Sequence, residues 1–239
     1  MPLPTVAHRI LAAPKAGSDA ASEDAADAHV EAWPVRAAVA DGATESAFSG
    51  LWARTLVVEL LARSTTTAEA FEAAVEAGRA EWAAAVARRL DDRPWYVRAK
   101  AEEGAFATVL SVTLHEDGAW TGLAVGDCCL FHLRDGAVIA TWPYEEPDAF
   151  THRPSLVPSR RTRPVPAPGT TTGDWEPGDA LLLATDAVAA WLLRRGAASV
   201  PDTDPSAFGR AVQTARKKGA LRNDDATLLV LTIDDAARP

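Results

Sequence analysis

Cysteine is scarce in this chain, and the only two among 239 residues, Cys128 and Cys129, are neighbours. Adjacent cysteines cannot frame a disulfide-stapled domain, so the pair predicts buried thiols in a reducing compartment and a cytoplasmic protein. The histidines at positions 8, 29, 115, 132 and 152 are scattered, and no Cys–His spacing suits zinc. Long hydrophobic runs are missing as well. The opening MPLPTVAHRILAAPKAG has no apolar run behind a basic start, and no later stretch approaches the ~20 apolar residues of a membrane helix. Neither secretion nor membrane insertion is expected. Positive charge is in deficit, with 24 Lys and Arg against 33 Asp and Glu and a formal charge of −9. Without a basic stripe interleaved with aromatics, nucleic acid is excluded as the expected partner.

What is present is the composition of a globular protein, 48% apolar and 24% charged. That predicts one domain over residues 1–239 with a core large enough to fold without a metal or a disulfide. Two extended runs between Thr5 and Gly42 flank a polar stretch, Ser18 to Asp27, that reads as a loop. Pro34 in the second run argues for an edge strand or a bulge. Helices are predicted near Phe48–Ala62 and over Ala68–Leu90, where Phe71, Val75, Trp82, Val86 and Leu90 recur at helical spacing. Residues 104–140 read as an antiparallel meander with turns at Asp117-Gly118 and Asp135-Gly136. Residues 142–177 hold eight of the sixteen prolines and read as a long proline-rich insertion without regular structure. A strand over Asp179–Thr185, helices near Val188–Arg195 and Pro205–Lys218, and a strand over Ala226–Ile233 complete an α+β pattern.

Four aspartates stand where an extended apolar run ends or begins. Asp41 follows VRAAVA, Asp127 follows WTGLAVG, Asp186 follows ALLLAT, and Asp224 precedes ATLLVLTI. Any one of them alone reads as a turn residue, as Asp117 and Asp135 do. Carboxylates at several strand ends can converge at one edge of a β-core, where their mutual repulsion favours a divalent cation. Carboxylate ligands suit Mg²⁺ and Mn²⁺.

The wording around these residues resembles the PPM, or type 2C, family of metal-dependent protein phosphatases. Ser22-Glu23-Asp24 is similar to the early acidic motif, Val39-Ala40-Asp41-Gly42 to the Asp-Gly motif, and Gly104 to Thr108 to the start of the next strand. Val125-Gly126-Asp127, Ala184-Thr185-Asp186 and Asp224-Asp225-Ala226-Thr227 resemble the three later motifs, in the family's order. The resemblance implies a central antiparallel β-sandwich flanked by helix pairs in α-β-β-α layers. It implies two or three Mn²⁺ or Mg²⁺ ions: Asp41 bridging two, the Gly42 carbonyl on one, Asp186 and Asp224 completing the pair, Asp127 with Asp186 forming a third site, and Glu23 and Asp24 acting on the water shell. Hydrolysis of phosphoserine or phosphothreonine by a metal-activated water follows, with a phosphoprotein as substrate and a serine/threonine kinase as a candidate partner. A side-chain nucleophile is not required, and the chain has no Cys-x5-Arg loop, no Asp-x-Asp-x-Thr opening and no nucleophile elbow.

Departures from the family pattern concern the substrate. The position four residues before Glu23, commonly a phosphate-binding arginine, is Asp19 here. Gly-Ala-Thr-Glu-Ser follows Asp41, and Ala187 follows Asp186 where glycine is usual. These variants are similar to a divergent bacterial subgroup. Replacement cations are sought in Arg160 or Arg161 of the proline-rich insertion, with Lys15 as the alternative. Two other readings compete: a pseudophosphatase that serves as a binding or regulatory module, and an acidic sandwich that holds a structural cation.

Overall fold

A computed structural model describes residues 3–17, 21–44, 46–90, 94–151, 153–197, 200 and 204–234. Ser18, Asp19, Glu45 and His152 lie outside the described residues. In chain order the strands are β1 (Thr5–Ala13), β2 (Asp24–His29), β3 (Val35–Gly42), β4 (Phe106–Leu114), β5 (Ala119–Val125), β6 (Cys129–Arg134), β7 (Ala137–Trp142), β8 (Val157–Pro158), β9 (Gly169–Asp174), β10 (Ala180–Ala184) and β11 (Ala226–Asp234). The helices are α1 (Ser49–Ala62), α2 (Ala68–Leu90), α3 (Trp95–Glu103), α4 (Asp186–Arg195) and α5 (Pro205–Lys217).

The strands form two antiparallel sheets, one ordered β1-β11-β10-β6-β7 and the other β2-β3-β4-β5-β9, with β8 added to the start of β4. Three apolar cores explain the layering. Val39, Leu110, Val112 and Trp120 of one sheet meet Leu130, Leu181, Leu229 and Leu231 of the other between the sheets. On one outer face Trp52, Leu56, Phe71 and Trp82 of α1 and α2 cover Ala38, Ala40 and Val109. On the opposite face Val188, Trp191, Phe208 and Val212 of α4 and α5 cover Phe131, Leu182 and Val230. Strands buried on both faces read as continuous apolar runs, which is why β10 and β11 are so plain in the sequence. The result is the expected α-β-β-α sandwich.

Several local expectations are corrected. The polar stretch before residue 28 is not all loop, because Asp24–His29 pairs along β3; ladder hydrogen bonding to a buried neighbour overrides the weak β-propensity of Asp and Ala. Pro34 does not mark an edge, since it precedes β3, and β3 has partners on both sides. The meander is two hairpins in different sheets, β4-β5 and β6-β7, joined by a crossing at Gly126-Asp127-Cys128. Gly126 makes that crossing at a φ of 101°, and a Cβ there would come within 2.4 Å of the Thr108 side chain. The proline-rich insertion contains the exposed strand β9, whose Thr and Gly residues give no apolar alternation. Helix α3, which no periodicity announced, buries only Ala101 of its own residues.

Candidate metal and phosphate site

The sandwich brings the predicted aspartates to one end. Asp41 closes β3 directly opposite Asp24 on β2 and Thr108 on β4. Asp127 lies in the crossing between sheets, Asp186 is the first residue of α4 immediately after β10, and Asp224 precedes β11. Asp41, Gly42, Asp127, Asp186 and Asp224 all line a single cleft of about 520 Å³, together with Lys100, Glu103, Phe106, Leu156 and Arg222 among others. Gly42 cannot carry a side chain, because a Cβ would stand 2.7 Å from the Ser49 backbone and 2.9 Å from the Glu23 carbonyl. Ser46, also in the cleft, has its hydroxyl committed: it donates to the Ala43 carbonyl at 2.8 Å and accepts from the Phe106 N–H at 3.3 Å.

Glu23 and Asp24 sit behind this wall. Asp24 is buried, accepts from the Thr185 hydroxyl at 3.0 Å, and leaves its Oδ1 without a partner. Thr185 in turn accepts the Thr227 N–H at 3.0 Å, so one hydroxyl ties the last two motifs to the early one. Glu23 accepts from the Ser49 hydroxyl. Asp225 does not line the cleft and pins the early motif, accepting the backbone N–H of Glu23 at 2.7 Å and of Lys15 at 2.9 Å.

The electrostatics are those of crowded carboxylates that Arg222 and Lys15 compensate only in part. Burial pushes the Asp24 carboxyl up to about 7; hydrogen bonds from Thr227 and Thr185 oppose the rise without cancelling it, and the charges of Asp225 and Asp186 add to it. Asp127 is also pushed up to about 7, by burial and then by Asp186. Asp41 lies well above the usual carboxylate range through burial and the charges of Asp24, Asp186, Asp127 and Asp224. Asp186 is raised by burial and by Asp224, despite the lowering effect of Arg222.

Arg222 was not singled out in the sequence. Its guanidinium pairs with Asp186 Oδ2 and lies 3.5 Å from Asp224 Oδ2, inside the cleft wall. The only advance signal was its place two residues before Asp224. Among the described residues, no three His, Cys, Asp or Glu side chains are already gathered closely enough to hold an ion. The donor set nevertheless fits one: it is all oxygen, its charges repel, and Asp186 Oδ1 is buried without a hydrogen-bond partner. Arg222 takes up part of the charge that such an ion would neutralise.

The loop arginines are elsewhere. The Arg160 guanidinium donates to the Ala101 carbonyl at 3.0 Å and packs 5.3 Å from the Trp82 ring centre. Arg161 pairs with Glu76 of α2 at 2.7 Å, with its side chain 80% exposed. Neither lines the cleft. The physical reason is Arg79, a buried cation on α2 that donates to the carbonyls of Pro158 and Arg160 at 3.2 Å and holds the loop against the helix. Lys15 does not line the cleft either, and its ammonium lies 3.9 Å from Asp224.

A two-sheet sandwich between helix pairs carries a carboxylate-rich cleft at its strand ends, a donor set suited to hard cations. The chain belongs to the protein phosphatase 2C family, whose pattern matches residues 15–227. Solved structures with the same fold include the Mycobacterium tuberculosis serine/threonine phosphatase PstP/Ppp, 18% identical over 96% of this chain and 99% of that one, with a TM-score of 0.66. The catalytic domain of the serine threonine protein phosphatase PstP in complex with 2 manganese ions is 17% identical over 97% and 100% of the two chains, with a TM-score of 0.65. The PPM Ser-Thr phosphatase MsPP from Mycobacterium smegmatis in complex with cacodylate is 20% identical over 98% and 99%, with a TM-score of 0.60. No curated protein sequence matches the chain.

Proposed function

We propose that this protein hydrolyses phosphoserine or phosphothreonine on proteins, using divalent cations held at the aspartate cleft. The observation that carries the reading is the convergence of Asp41, Asp127, Asp186 and Asp224 from separate elements on one cleft, with buried carboxylate oxygen left unpartnered. Asp41, Asp186, Asp224 and the Gly42 carbonyl would hold a pair of Mn²⁺ or Mg²⁺ ions, and Asp127 with Asp186 a third. Bound cations would lower the pKa of a water and offset the charge of the phosphate oxygens. Asp24, oriented by Thr185, and Glu23, oriented by Ser49, would accept hydrogen bonds from waters around the ions. Arg222 and Lys100 in the cleft wall would give a dianionic ester further positive charge.

A phosphoprotein is the substrate this reading implies, and a serine/threonine kinase is its natural counterpart. Cys128 and Cys129 are free and buried, and burial raises both thiols, Cys129 to about 12, which fits inert thiols in the cytoplasm. No described helix is long and apolar enough to cross a membrane. The test is turnover of p-nitrophenyl phosphate and of a phosphothreonine peptide with Mn²⁺, set beside calorimetric titration of Mn²⁺. Turnover that a chelator abolishes is expected. Cation binding without turnover of either ester would make the chain a regulatory module, and absence of both would sink the proposal.

A further inference from the structure

Trp95 is the most exposed large apolar side chain among the described residues, at 80%, and Tyr96 beside it is 58% exposed. The two rings meet edge to face, with centres 6.3 Å apart. Ala101 is the one fully buried residue of their helix α3, which Gly104 stops, so the aromatic pair does nothing for the hydrophobic core. Exposed Trp and Tyr side by side are the residue types that dominate recognition surfaces.

The position of α3 says what they would recognise. Tyr96, Lys100 and Glu103 are spaced four and three residues apart and so share one face of the helix. Lys100 and Glu103 line the aspartate cleft. The face that carries Tyr96 therefore runs continuously out of the cleft, with Trp95 packed against the ring from the next position. At about 1.5 Å per helical residue, Tyr96 lies about 10 Å along the axis from Glu103. An extended peptide covers that distance in about three residues, at roughly 3.3 Å each.

We propose that α3 is the substrate-docking element of the phosphatase: the Trp95–Tyr96 pair receives an apolar or aromatic side chain about three residues from the phosphorylated Ser or Thr, while Lys100 faces the polar part of the same peptide. The proposal rests on the phosphatase reading for the identity of the occupant. It predicts that substrates are chosen by a residue outside the phosphate site.

The test uses peptides that carry the non-hydrolysable phosphonate analogue of phosphoserine, with Phe three residues before it, Phe three residues after it, or Ala at both places. Affinities for the wild type and for the double substitution Trp95→Ala/Tyr96→Ala are read by fluorescence anisotropy, with circular dichroism confirming that the variant is folded. The expected result is that one Phe peptide binds wild type about tenfold more tightly than the Ala peptide, and that this ratio falls to about one in the variant. Equal affinity of wild type for all three peptides, or an unchanged ratio in the variant, overturns the docking role. Turnover of the matching phosphoserine peptides is measured separately, so a wild type that discriminates in binding and hydrolyses none of them refutes the phosphatase reading while leaving the docking surface standing.

Discussion

If the aspartate cleft holds divalent cations as proposed, Arg222 would compete with them for the same carboxylates, and the competition can be given a size. The guanidinium pairs with Asp186 Oδ2 and lies 3.5 Å from Asp224 Oδ2, with about half of the side chain exposed. Burial alone would lower the arginine's pKa, yet Asp186 and Asp224 hold it above the ordinary value. Half-exposed ion pairs contribute roughly 0.2–1 kcal/mol each, so two contacts amount to roughly 0.4–2 kcal/mol. A cation entering between Asp186 and Asp224 must displace the guanidinium or bind beside a positive charge, and loses that amount in either case. Replacing the side chain by Arg222→Met, which keeps most of the stem, is therefore expected to tighten Mn²⁺ binding about 2- to 30-fold. Calorimetric titration reads this directly. Lys15→Met should do much less, since Lys15 reaches only Asp224, at 3.9 Å. If Arg222→Met leaves the Mn²⁺ Kd unchanged or weakens it, Asp186 and Asp224 are not the ligands, or Arg222 helps to build the site.

Three further outcomes follow from the geometry. Asp186→Asn should reduce Mn²⁺-dependent hydrolysis at least a hundredfold while the metal-free Tm stays level or rises, because a buried carboxylate already raised by burial and by Asp224 loses its repulsion; turnover like that of wild type at saturating Mn²⁺ contradicts the assignment. Asp127→Ala should lower turnover but leave the two tightest Mn²⁺ sites intact in calorimetry, and loss of all cation binding would place Asp127 among the primary ligands. Asp179, remote from the cleft, is buried at 2% exposure beside His132 and Arg134. Burial raises its pKa, but hydrogen bonds from Arg134, the Glu176 N–H and His132 outweigh this and hold it below 3.8. A lowered folded-state pKa stabilises above that value and is lost as pH falls through it, so Asp179→Asn should cost about 2 kcal/mol at pH 7 and flatten the decline of Tm below about pH 4. An unaltered acid limb would show that the cluster is not coupled to folding.

Much of the fold was legible because its signals are local. The α2 stripe from Phe71 to Val86 is buried as the spacing required, and the apolar runs of β10 and β11 lie between two layers. What was not legible depended on partners far away in the chain. Strand β2 is Ala, Asp and His, with no β-forming character of its own, and it exists because β3 offers a ladder on that side. Helix α3 packs mainly through Ala101, so the sequence carries no apolar stripe for it.

The site divides along the same line. A carboxylate at the end of an apolar run is visible in the sequence, and each of Asp41, Asp127, Asp186 and Asp224 reached the cleft by the element that carries it. The cations were harder, because the sequence shows how many arginines a segment has but not which carbonyls and carboxylates claim them. Arg160 and Arg161 stand out as basic residues in the acid-free stretch 153–163, yet α2 supplies Glu76 for Arg161, and Arg79 holds the backbone carbonyls of Arg160 and Arg163. Arg222, isolated at a turn, attracted no notice and lies between two of the aspartates. In an acidic cleft the guanidinium that matters is the one left facing the carboxylates after secondary structure has claimed the rest. Local charge density therefore pointed to a loop held against α2 and α3, while the single arginine beside the closing motif lies in the cleft against Asp186 and Asp224, the negative charges that the motifs identify.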